Sequence, residues 1–178
     1  MGNTNPSTPV PGVEKVLAAA RDDLAAGNYA LAAERTRAFG DVAEAAALRV
    51  RAMANLEPAE AEGACAEAIE RHPLSCELHY LRAVLLHGLG RDTDAARAAR
   101  RVLYLDRSLA IVHFLLGSIL RRRGDRAGAW RSFRNARDLC AAMPDAEVVP
   151  LSDGEPAVRL AEAAALQMTR LAPAEDRP

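Results

Sequence analysis

A set of residues recurs along this chain at a spacing of 34. His79, Leu86, Gly90 and Ala95 return as His113, Leu120, Gly124 and Ala129. A fixed period of this length marks an array of supersecondary units, each too small to bury its apolar face alone and so stacked on its neighbours. The residue types within the period are those of two helices and a tight turn. Gly90 and Gly124 stand where a helix must end with φ > 0, a conformation that glycine adopts most easily. Gly117 and Ala129 stand where the two helices of a unit meet, and small side chains allow that approach. Leu116, Leu120 and Phe133 are the apolar knobs between the helices.

The run His113-x2-Leu116-Gly117-x2-Leu120, then Ala129-x3-Phe133 and Ala136, resembles the tetratricopeptide repeat (TPR). The preceding unit reads His79-x2-Arg82-Ala83-x2-Leu86, then Ala95-x3-Ala99 and Val102. Further back, Ala61, Cys65 and Ala68 fit the second helix of another unit, and Ala61 keeps the 34-residue step to Ala95. Its first helix, from about Val42 to Asn55, lacks the terminal glycine, while Pro58 suits the first turn of the helix that follows. A more degenerate unit contains Gly27, Asn28, Tyr29 and Ala32, preceded by a helix from about Val13 to Ala26. The step from Ala32 to Ala61 is only 29, so a helix or loop is shortened near Phe39, Gly40 and Asp41. Gly40 reads as a helix stop and Asp41 as the next N-cap.

The expected fold is therefore all-α: a TPR-type helix–turn–helix solenoid with a C-terminal capping helix. About four units are expected over 13–143, divided as 13–40, 41–74, 75–108 and 109–143. A loop follows at 144–156, set by Pro144, Pro150, Gly154 and Pro156. A capping helix over 157–172 carries Val158, Leu160, Ala161, Ala164, Ala165, Met168 and Leu171 on its apolar side. Residues 1–12 read as a disordered linker or cloning remnant, and 173–178 as a disordered tail. The length suits one domain. Half the residues are hydrophobic but only 4% are aromatic, so the core must be mostly Ala, Leu and Val.

The net charge of −1 gives no global attraction to nucleic acid. Its distribution is uneven. Between Asp41 and Glu70 seven acids face two arginines, whereas between Arg100 and Asp138 ten arginines face three aspartates. The second stretch reads either as a solvated helix face or as a basic patch for an acidic partner. Three cysteines at irregular spacing do not form a disulfide framework. No run is apolar enough for a membrane span and no signal peptide is legible, so a cytoplasmic location is expected. Cys65, His72, Cys76 and His79 fit no standard zinc spacing, and His79 and His113 occupy the slot that holds Trp in the repeat, so packing is their expected role. No phosphate loop, nucleophile constellation or catalytic carboxylate pair is legible; no catalytic, cofactor or metal residue is expected in this chain.

A repeat array builds a binding surface. In TPR arrays the first helix of each unit lines the concave face. Helical periodicity places Leu17, Arg21, Leu24, Val50 and Met53 there from the first half of the chain. The second half supplies the expected partner-binding groove: Tyr80, Val84 and His87, then Phe114, Ser118, Arg121, Arg122 and Arg126. An apolar floor with arginine at one end suits an amphipathic or extended segment with an acidic end. Alternatively, the chain's own C-terminal helix fills part of the groove. The carboxylate clamp of TPR co-chaperones requires Lys and Asn at positions that here hold Tyr80, Val84, Phe114 and Ser118, so that role is set aside.

A narrower resemblance covers about half the chain. Ala95-Ala96-Arg97-x-Ala-Arg-Arg-Val-Leu-Tyr-Leu-Asp106, Leu109-Ala110-x2-His113-Phe114-x-Leu116-Gly117-x4-Arg122-Arg123-Gly124, and the tail Val149-Pro150-Leu151-Ser152-Asp153-Gly154 with Arg159-Leu160-Ala161-Glu162 are similar to the C-terminal TPR region of CheR-type chemoreceptor methyltransferases. Arg107 replaces the proline that usually follows the Tyr-Leu-Asp run. The resemblance implies a parent enzyme, of the FrzF-like or Wsp-like kind, that methylates receptor glutamates with S-adenosylmethionine bound in a separate catalytic domain. It implies for this chain a regulatory, protein-binding role, with a chemoreceptor cytoplasmic region, the catalytic domain or a coupling protein as partner. The alternative is a free-standing TPR adaptor in an unrelated pathway.

Overall fold

The computed structural model describes residues 12–171. The expectations for the linker-like start up to residue 11 and for the tail from 172 onward lie outside them. Among the described residues the secondary structure is helical, with one isolated bridge between Val148 and Pro156 and no strand. The residues form two compact units, one ending at Pro73 and the other starting at Leu74, where length alone suggests a single domain. A repeat unit contacts chiefly its sequence neighbours, so such a chain has no common centre around which one core must form.

The first unit contains α1 (Val13–Ala25), α2 (Tyr29–Thr36), a short 3-10 turn (Arg37–Phe39), α3 (Ala43–Ala54) and α4 (Pro58–Arg71). Its core joins Val13, Leu17 and Ala20 of α1 to Ala45 and Leu48 of α3. The 29-residue step has a simple origin: α2 has 8 residues, whereas α4 has 14. The start of α3 departs from expectation. Its N-cap is Val42, in extended conformation and without a side-chain cap, so Asp41 does not cap it. Gly40 does follow the 3-10 turn, but with an ordinary φ of −61°. The Arg71 guanidinium, the far end of a long side chain, lies 3.0 Å from where a Cβ would stand, and the His72 ring nitrogen Nε2 is 2.9 Å from the Gly40 carbonyl oxygen.

The second unit contains α5 (Cys76–Gly88), α6 (Asp92–Leu105), α7 (Ala110–Arg122), α8 (Arg126–Ala141) and α9 (Ala157–Leu171). Ser75 caps α5 by accepting from the Leu78 amide, and Asp125 caps α8 by accepting from the Gly128 amide at 2.8 Å. The 34-residue glycines close α5 and α7 in the same way. Gly90 and Gly124 have φ of 78° and 81°. The amides of Arg91 and Asp125 reach back to the carbonyls of Leu86 and Leu120, and the glycine amides to those of His87 and Arg121. This double bond is the Schellman stop, which satisfies carbonyls that a helix end leaves open. At the end of α3, where no glycine stands, the Asn55, Leu56 and Glu57 amides bond only to Ala52 and Met53.

Helices α5 to α8 share one core of Ala83, Leu86, Ala95, Ala99, Val102, Val112, Leu116, Ile119, Leu120, Ala129, Phe133 and Ala136. Ala164, Met168 and Leu171 of α9 join it. Ala157 and Leu160 enter a second cluster with Ala110, Cys140 and Val149. These five residues form the buried face of the amphipathic α9. Val158, expected on that face, is instead exposed, because it falls at the helix's first turn, away from the stripe.

Gly117 marks a close approach between α7 and α8. A Cβ there would stand 2.8 Å from two carbons of the Phe133 ring, which is itself fully buried. At Gly88 in α5 a Cβ would meet nothing within 4 Å. Both Gly→Ala changes remove the same helix-propensity penalty, roughly 0.5–1 kcal/mol, but overpacking at residue 117 should cost ~1–3 kcal/mol. Urea unfolding should therefore show Gly88→Ala as neutral or slightly more stable than wild type, and Gly117→Ala as the less stable of the two by about the overpacking cost.

Candidate protein-interaction surface

The 34-residue register pairs Tyr80 with Phe114, Val84 with Ser118 and His87 with Arg121. These are matching positions on α5 and α7, spaced i, i+4, i+7 and so on one face of each helix. The side chains on that face differ in what they leave available. Tyr80 is half-buried against the core of the second unit, and Val84 is 41% exposed. Phe114 is half-buried, packs edge-on to Phe133 with ring centroids 5.2 Å apart, and also touches the cluster that contains Val149, Ala157 and Leu160. Residues from the loop and from α9 therefore share the packing of Phe114. Ser118 turns its hydroxyl back onto its own helix, donating to the Phe114 carbonyl at 3.2 Å. Arg121 is exposed and forms no ion pair with a described residue.

The other two arginines of the expected groove are engaged within the second unit. Arg122 lays its fork on Asp92, with Nε donating to one carboxylate oxygen and Nη2 to the other. Nη2 also donates to the His87 carbonyl. The His87 ring completes the knot: its Nδ1 lies 2.7 Å from the nearer Asp92 oxygen. A bidentate guanidinium–carboxylate pair fixes geometry as well as charge. Here it joins the end of α5, the first residue of α6 and the last residue of α7. Arg126, at the start of α8, donates from Nη2 to the carbonyl of Leu171 in the last turn of α9, at 2.8 Å. A cation at a helix C-terminus meets the negative end of its dipole. Arg122, Arg126 and His87 thus hold helices together, and Val84 and Arg121 are the residues of the face that look outward.

Asp92 escaped the sequence reading. Its position just after the Gly90 turn marks a helix start, where an acid is favoured. Nothing in the sequence links it to an arginine 30 residues away.

In the first unit, Leu17 and Val50 are buried, which corrects their expected place on a groove floor. Leu17 belongs to the α1–α3 core, since α1 and α3 touch there as well as through their neighbours. Leu24 is half-buried against the same cluster, and Arg21 pairs with Glu44. Met53 is half-buried. Among the described residues no three His, Cys, Asp or Glu side chains are placed to hold one metal ion. Burial raises the Cys76 and Cys140 thiols above the ordinary cysteine value, with Asp106 adding to the effect at Cys76, so both stay protonated at neutral pH. His113 places Nε2 3.0 Å from the Arg107 carbonyl oxygen, a tie across the loop between α6 and α7. No described helix is long and apolar enough to cross a membrane.

No family model matches the sequence, and no curated protein matches it. Solved structures do resemble the fold. The thermophilic TPR protein TTC0263 of Thermus thermophilus superposes with a TM-score of 0.69 at 17% identity, over 92% of this chain and 83% of that one. MamA gives 0.65 at 18% identity, over 73% and 79%. PcrH, whose free form is from Pseudomonas aeruginosa, gives 0.57 at 14% identity in its complex with the chaperone binding region of PopD, over 93% and 94%. At these identities the likeness is one of fold. The chain has a TPR-type helical fold.

The Asp92 knot has a pH signature. The hydrogen bond from Arg122, helped by that from His87, holds the Asp92 carboxyl below the ordinary aspartate value, against the opposing effect of desolvation. A depressed carboxyl stabilises the fold above its unfolded pKa and loses that contribution as pH falls through the folded value. The stability of the second unit should thus decline as pH drops below about 4. Asp92→Asn should be less stable than wild type at neutral pH and lose that part of the acid slope, as read by urea midpoints across the range.

Proposed function

We propose that this chain is a protein-interaction module that takes a partner segment on the α5–α7 face of its second unit. The observation that carries this reading is the repeated face itself. Two successive first helices present matching positions, and the outward members are one apolar side chain, Val84, and one cation, Arg121. That pairing suits an amphipathic segment that brings an apolar anchor and an acid. The PcrH–PopD complex supports it as an instance of a related fold holding a protein segment. The binding is non-catalytic, and the module acts from the cytoplasm by tethering: one bound end raises the local concentration of whatever is attached to the other.

The narrower reading is a regulatory module of a CheR-type receptor methyltransferase, with S-adenosylmethionine used by a separate catalytic domain. It rests on the sequence resemblance over the last two repeats and the tail. The tail segment has a conformation that suits two of its residues, Asp153 and Gly154. Val149 is buried, and its amide bonds to the Glu155 carbonyl across a turn in which Leu151, Asp153 and Gly154 all have positive φ. Such a turn is strained for most residues, and Asp and Gly tolerate it best. The partner would be a chemoreceptor cytoplasmic region, the catalytic domain or a coupling protein.

A tagged chain should recover one of those three from bacterial lysate, and Val84→Glu or Arg121→Glu should reduce that recovery. Against the purified partner, loss of the Arg121 contact should weaken affinity by roughly tenfold, the effect of one charge-assisted hydrogen bond. Recovery of unrelated proteins alone, still sensitive to Val84 and Arg121, would keep the interaction module and remove the chemosensory assignment. Insensitivity to both substitutions would remove this face.

A further inference from the structure

Helix α9 gives one face to the core, through Ala157, Leu160, Ala164, Met168 and Leu171. At about 100° per residue the opposite face is centred on Leu166, with Glu162 one turn before it and Arg170 one turn after. All three are exposed, and Leu166 by 52%. The outer helix of a repeat stack keeps such a face polar when it meets only water. Here a large aliphatic side chain stands at its middle.

The other polar groups of this face are engaged close by. Arg159 pairs with Glu155, and the Thr169 hydroxyl donates to the Ala165 carbonyl of its own helix. Glu162 and Arg170 form no ion pair with a described residue. Two turns of helix, about 12 Å, lie between them.

The order Glu162, Leu166, Arg170 is self-complementary in one arrangement. Two such helices laid antiparallel about a two-fold axis at Leu166 bring leucine onto leucine. Glu162 of each then lies opposite Arg170 of the other, and Ala163 opposite Thr169. Both of these flanking residues are small, which lets the helix axes approach to the ordinary ~8–10 Å. Laid parallel and in register, the same face would set glutamate on glutamate and arginine on arginine.

We infer that α9 is a homodimer interface, its outer face packing antiparallel on the same face of a second copy with two reciprocal Glu162–Arg170 ion pairs. One helix pair buries less than the ~1,200–2,000 Å² of a stable interface, so the association is weak and concentration-dependent. The inference does not rest on the α5–α7 face, because Val84 and Arg121 lie on other helices. A dimer would carry two such faces and so raise the avidity for a bivalent partner.

The test is sedimentation velocity of the full chain across the micromolar to millimolar range. The sedimenting mass should rise from one chain toward two as concentration increases. Leu166→Glu should stay monomeric throughout. Glu162→Arg and Arg170→Glu, taken singly, each turn two attractions into repulsions and should weaken dimerisation roughly tenfold. The double variant restores the opposition of charges and should return close to the wild-type dissociation constant. All of these positions are exposed, so urea midpoints measured where the wild type is monomeric should match its own, which separates lost association from lost folding. A wild type that stays monomeric over the whole range would overturn the proposal, as would a dimer indifferent to Leu166→Glu. A double variant that associates no better than either single one would overturn the antiparallel pairing on which it stands.

Discussion

The second unit depends on how closely α7 and α8 can approach. Gly117 leaves the face of α7 bare where the Phe133 ring lies, and Ala129 is fully buried in the same core. A protein interior tolerates neither overlap nor void at such a contact. With that ring in place, Phe114 finds an edge-on partner, and α9 can add Ala164, Met168 and Leu171 to a core that is otherwise built of small aliphatic side chains. The low aromatic content is consistent with this: closely spaced helices leave room for few rings.

Charge then does two separate tasks in this unit. The Arg122–Asp92–His87 knot and the Arg126–Leu171 contact tie helix ends together. These are contacts between elements that hydrophobic packing alone would leave free to slide. Arg121, like Arg97 and Arg101, is exposed and gives the surface a cationic character. The arginine-rich stretch from residue 100 onward is thus neither a uniform solvated face nor a uniform basic patch. Neighbouring residues 121 and 122 fall on opposite sides of that division, because one helical step of about 100° carries a side chain from solvent to the α5–α6 junction.

Much of the fold was readable beforehand. The helices, the glycine stops at 90 and 124, the small residues at 117 and 129 and the apolar stripe of α9 all follow from periodicity and from what glycine and alanine permit. The details that escaped are of two kinds. Some are local: Asp41 could cap α3 by residue type, yet Val42 occupies the cap, and Gly40 follows the 3-10 turn with an ordinary negative φ. Others are matters of depth. Leu17 and Val50 lie on the expected helix face, but that face turns inward in the first unit, and periodicity alone cannot tell a groove floor from a core.

The sequence by itself determined the repeating unit, because helix periodicity, helix stops and interhelical contact size are set by residue type and spacing within 34 positions. Only the tertiary structure decided which polar side chains are available. Whether an arginine meets a partner or an aspartate of its own chain depends on distances between residues 30 or 45 apart, such as Arg122 and Asp92 or Arg126 and Leu171. Those distances follow from how helices stack, and the stacking is the summed result of many weak contacts that no single motif encodes.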